Sequence, residues 1–151
     1  MTVTAETLSV ADAVLAILNA EDAEWSADFT AELAFVPKVV LDESNDVHVL
    51  VVAKTVEHSI AERDRNERIY SIDIGILKKV ATPLVRTDIE PLIACAEEIV
   101  QAFLGERIAT EDDAIETICM DARIEVLYDQ EELEHRSTFS SLVNLKLQRL
   151  N

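Results

Sequence analysis

The chain is 151 residues long and carries 30 acidic against 13 basic residues, a formal charge of −17. That length suits one domain with its own core, and such acidity excludes binding nucleic-acid phosphates through the average surface. Two glycines cannot build a glycine-rich phosphate loop, and no apolar run approaches the ~20 residues of a membrane span. Acidity also keeps a protein soluble, and a high-salt source would give the same balance. Cys95 and Cys119 lack CxxC spacing, which fits free thiols in a reducing cytosol. The start, MTVTAETLSV, has no basic head and no apolar run, so no signal peptide is expected and a soluble, cytoplasmic chain is.

Residues 5–19 predict a helix, with Leu8, Ala11, Val14, Leu15 and Leu18 at helical spacing and Thr4 or Thr7 as cap. Phe29, Ala31, Leu33 and Phe35 alternate with polar or small residues, a first strand over 28–36 that Pro37 ends. The cluster DESND at 42–46 predicts a turn. VHVLVVAK at 47–54 is nearly continuous in apolar residues, as in a strand covered on both faces. His48 within it reads as a hydrogen-bonded core histidine rather than a ligand.

Residues 55–67, TVEHSIAERDRNE, hold no sustained period and predict a long charged loop or arm. Arg63, Arg65 and Arg68 gather there, with Lys54 near, in a chain otherwise poor in cations. Two readings stay open: a contact arm, or a solvated connection with local ion pairs. As an arm, its candidate contact residues are Glu57, His58, Glu62, Arg63, Asp64, Arg65 and Arg68. Arginine pairs carboxylates through two parallel bonds, and such exposed contacts weaken as salt rises.

The stretch 68–80, RIYSIDIGILKKV, alternates Tyr70, Ile72, Ile74 and Ile76 with Ser71, Asp73 and Gly75 and predicts the central strand. Over 88–104 an apolar stripe from Ile89 to Phe103 predicts a helix. Thr87 with Glu90 resembles a capping box, but Pro91 makes Asp88 the better cap, and Gly105 closes the helix. After an acidic connection at 110–115, Ile118, Met120, Ala122, Ile124 and Val126 alternate as a fourth strand. A helical turn around Leu133 leads to a last strand with Phe139, Val143, Leu145 and Leu147 on one face. The expected fold is a single α+β domain over 1–151. It has one mixed, largely antiparallel five-stranded sheet and two main helices, in the order α-β-β-β-α-β-β. One sheet face is left without a helix, carrying Ile69, Leu77 and Leu142.

A catalytic constellation is not visible. His48, His58 and His135 lie at no metal-ligand spacing, HExxH and GxSxG are missing, and Asp112–Asp113 is a chance pair in an acidic chain. No enzyme, cofactor or metal is expected.

In order and residue type the chain resembles the tail-terminator, or tail-completion, proteins of long-tailed bacteriophages and prophages. The likeness covers about 8–150. It rests on a helix, a strand closing on proline (FTAELAFVP), a valine-rich strand (VHVLVVAK) and an arginine-bearing segment (ERDRNER). A tyrosine-led strand (IYSIDIGILKK), the helix at 88–104 and a final strand entered through phenylalanine (TFSSLVNLKLQR) complete it. Such proteins often carry a basic residue in the first strand, where this chain has Glu32 and Leu33. The resemblance implies a homo-oligomeric ring, usually of six, that caps the tail tube and meets the neck or connector protein. DNA would be only cargo in the channel, with no membrane involved. It places the protein at the tail–neck junction of the virion, and in host cytoplasm during assembly. Two rival readings are a neck or head-closure protein of the same virion, and an acidic inhibitor module covering a basic partner.

Overall fold

The computed structural model describes residues 5–36, 46–110 and 116–150. They form α1 (Glu6–Leu18), β1 (Ala31–Ala34), β2 (His48–Glu62), β3 (Arg65–Lys79), α2 (Arg86–Phe103), β4 (Arg107–Ile108), β5 (Thr117–Val126), α3 (Gln130–Arg136) and β6 (Thr138–Leu150). Pro37, residues 42–45 of the turn cluster, the acidic 111–115 with Asp112 and Asp113, and the Thr4 cap lie outside the described residues.

The expected five-stranded sheet with two main helices is corrected. The described residues form one six-stranded mixed half-barrel sheet, ordered β1-β2-β3-β6-β5-β4, with three helices. The extra strand is short: β4 has 2 residues, too few to impose a period on the sequence, and the third helix, α3, is the 7-residue form of the helical turn expected around Leu133. β1 pairs parallel with β2, and every other described pair is antiparallel.

β3 is central, as its alternation predicts. Tyr70, Ile72, Ile74 and Ile76 stand opposite Leu147, Leu145, Val143 and Ser141 of β6, and all are buried. α1 packs over β1, β2 and β3, and α2 over β5 and β6. Their stripes (Val10, Ala11, Val14 and Leu18; Leu92, Cys95, Ala96, Ile99 and Phe103) close a single core on that face. Each Ile, Leu or Phe buried there contributes about 1.5–3 kcal/mol.

The helix caps differ from expectation. The N-cap residues are Ala5 for α1 and Val85 for α2, neither with a side-chain cap hydrogen bond; Glu90 instead pairs with Arg86 one turn back. Pro91 sits inside α2, where it cannot donate to the carbonyl a turn earlier. Gly105 follows α2 with φ 77, the left-handed conformation that suits glycine at a helix end. Asn19 ties α1 to β1 through Nδ2 to the Ala31 carbonyl (2.9 Å) and the Ala31 N–H to Oδ1 (2.7 Å). Among the described residues no helix is long and apolar enough to cross a membrane.

The second face has no helix on it. Leu50 and Val52 are buried there, outside the main core, and Ile69, Leu77 and Leu142 are half-buried. A polar seam crosses it. Asn144 donates from Nδ2 to Ser71 Oγ and to Asp73 Oδ1, both at 2.8 Å, and Lys54 Nζ lies 3.8 Å from Asp73 Oδ2. Asn144 and Asp73 are both buried, so this pairing satisfies groups that would otherwise be costly to desolvate.

Candidate functional site

Residues 55–67 are not a loop. β2 and β3 run on as a two-stranded ribbon that ends in a two-residue turn at Arg63–Asp64, with Glu62 opposite Arg65. Beyond Val56, which still packs on the core, the strands need no apolar period, because the described side chains of 57–60 and 62–66 all face water. Register shifts at Ala53/Thr55 and Ile60/Glu62 also break the alternation. Glu67 is the last β3 residue paired with β6, through Leu150, so residues 60–66 project beyond the rest of the sheet. At ~3.3 Å per residue the projection is on the order of 10 Å.

The tip is exposed. Glu57, His58, Glu62, Arg63, Asp64 and Arg65 face solvent, and Ile60 is 77% exposed, an apolar side chain the sequence reading did not single out. Arg68 differs. It sits at the root of the ribbon, on the helix-covered face, with Nε 2.9 Å from Glu6 Oε1 and its side chain 13% exposed. The structure therefore gathers Glu57, His58, Glu62, Arg63, Asp64 and Arg65 on one arm and separates Arg68 from them.

Arg68 belongs to a cluster with Arg149, Tyr70 and Glu6. Arg149 lies beside Arg68 in the sheet register, is 2% exposed, and has Nη1 3.9 Å from Glu6 Oε1. The Tyr70 hydroxyl donates to the same oxygen. Burial, with the Glu6 carboxylate beside it, pushes Tyr70 up to about 12. Nη2 of both arginines and Nε of Arg149 are buried without a hydrogen-bond partner, and Arg68 Nε meets Glu6 at ion-pair distance without hydrogen-bond alignment. Sequence reading missed Arg149 and Glu6. The signal was available in the last strand: continuing the alternation of Val143, Leu145 and Leu147 by one step puts Arg149 on the buried face.

His48 is half-buried, and its Nε2 has no hydrogen-bond partner, contrary to the expected satisfied core histidine. A cleft of about 340 Å³ near the start of α2 is lined by Ser26, Asp28, Asp46, Lys78, Thr87 and Asp88 among others. Among the described residues no group of His, Cys, Asp or Glu could hold a metal ion. Cys95 and Cys119 are free and buried; burial pushes their thiols up to about 12 and about 11, so both stay protonated at neutral pH.

No known family model matches the chain, and no curated protein matches it in sequence.

Proposed function

We propose that the protein is a virion structural component. It forms a ring on the end of a phage tail tube, stops tube growth there and joins the tail to the head neck. The observation that carries this reading is the arm. A two-stranded ribbon is marginal in water by itself, so one that leaves its sheet and exposes Ile60, Arg63 and Arg65 gains most by meeting a partner surface. The sequence resemblance names the partners: other copies of the chain, the tail-tube protein and the neck or connector protein. The charge of −17 suits a channel through which DNA slides without sticking.

The test is light scattering and negative-stain imaging of the protein alone and with tail-tube protein. Rings with a central channel, seated on tube ends, are the expected result. A strict monomer under both conditions overturns the proposal and favours an acidic module that covers a basic partner. Rings that bind the neck but leave tube length uncontrolled move the role to head closure.

A further inference from the structure

We infer that copies of this chain join edge to edge into one continuous sheet, the outer edge of β2 lying antiparallel on the outer edge of β5 of the next copy. The inference deepens the proposed ring and rests on it for the number of copies, but not for the contact.

Among the described residues both edges of the sheet are half covered. β1 pairs only with Val49–Val52, so ten residues of β2, 53–62, have no described strand on their outer side. β4 pairs only with Thr117 and Ile118, and Cys119 bonds outward to Gly105 and Glu106, which leaves 120–126 of β5 open. Unpaired strand edges present rows of N–H and C=O groups that template another strand. β2 and β5 run in opposite directions, since three antiparallel pairings separate them. Each is covered at its N-terminal end, so the free stretches lie at opposite ends of the sheet.

That outline is a pair of complementary steps. With a second copy in the same orientation, shifted along the strands, the free stretch of its β2 fits below β4 of the first. The free stretch of β5 on the first then fits above β1 of the second. The helices of both copies stay on one side. The shift means that the strands tilt in any closed assembly, as they do in barrels. The contact joins two different surfaces, a head-to-tail geometry that closes into a ring or runs on as a filament.

Exposed apolar side chains concentrate along these two edges. Phe35 (80% exposed), Val36 and Ile60 flank the β1–β2 edge, while Met120, Val126 and Leu127 flank the β5 edge. Together they are six of the nine large hydrophobic residues exposed among the described ones. A second copy is the occupant that matches, because it offers a strand of opposite direction, a complementary step and an apolar flank at once.

Two double variants test this, each confined to exposed residues so that the fold is kept: Val36→Lys with Ile60→Lys, and Met120→Lys with Val126→Lys. The unmodified chain is expected to form assemblies larger than a dimer by light scattering. Each variant alone is expected to be a folded monomer by circular dichroism and light scattering. Mixed, they should give a one-to-one dimer and nothing larger, because a single intact pair of edges remains between them. Variants that assemble like the unmodified chain, a mixture that stays monomeric, or an unmodified chain that is monomeric at high concentration would each overturn edge pairing. Rings that persist in both variants leave the terminator reading standing without this contact. Edge-dependent assemblies that ignore tail tubes leave this contact standing without the terminator reading.

Discussion

Two arginines share one carboxylate where α1 meets the sheet. Arg149 is nearly sealed from water and Arg68 mostly so, while Glu6, the partner of both, is about a third exposed. Desolvating a guanidinium is costly, and here two are desolvated against one negative charge with several N–H groups unpaired. The two sides of the cluster therefore respond unequally to substitution. Removing the carboxylate with Glu6→Ala leaves two buried cations and a Tyr70 hydroxyl without its acceptor. The expected loss is about 2–3 kcal/mol, below the ~3–5 of a fully buried pair because water reaches Glu6. Arg149→Met keeps the volume and leaves Arg68 with Glu6 one to one, so the change should stay within about 1 kcal/mol. Urea unfolding followed by circular dichroism checks both. An Arg149→Met variant less stable than Glu6→Ala would mean that the second arginine holds the fold through contacts other than this carboxylate.

At the scale of elements, the arm separates what the sequence discloses from what it conceals. The central strand was legible because a buried face forces a period of two, and the two long helices because their stripes face the same core. The ribbon at 55–67 was not, since neither of its faces has to be apolar. Nor was the parallel pairing of β1, because alternation tells which face a strand buries and not which strand it meets. Candidate contact residues were read on 57–68, but only geometry shows that Arg68 turns inward to Glu6. A charge reversal that includes Arg68 would damage the fold and confuse the readout. A cleaner probe excises residues 60–66 and closes Ser59 to Glu67, already opposite each other, with Asn-Gly in a two-residue turn. The excised tip packs against nothing described in the core, so unfolding free energy should stay within about 1 kcal/mol of the intact chain. Association with other copies or with tail tube should be lost by light scattering and co-sedimentation. A shortened chain that still associates removes the arm tip from the interface.

For the whole molecule the sign of the salt response is decided by charge distribution. A chain that concentrates arginine on an arm would, through arginine–carboxylate pairs, associate less as salt rises. The charges on the arm favour the opposite response. Arg68 is held by its own Glu6, and the arm offers Arg63 and Arg65 against Glu57, Glu62, Asp64 and Glu67, so it is acidic like the rest. Every copy brings −17 to the next, and copies repel at low ionic strength. Backbone pairing and apolar contact along the edges gain little or nothing from low salt. Raising ionic strength from about 0.01 to 1 M shortens the screening length from ~30 to ~3 Å, which removes the repulsion between neighbouring copies while leaving the edge contacts in place. Association should therefore strengthen as salt rises. At fixed protein concentration, the assembled fraction by sedimentation velocity should climb with sodium chloride and level off once the screening length falls below the distance between facing carboxylates. Dissociation with rising salt would instead put Arg63 and Arg65, paired to carboxylates of the neighbour, in control of assembly.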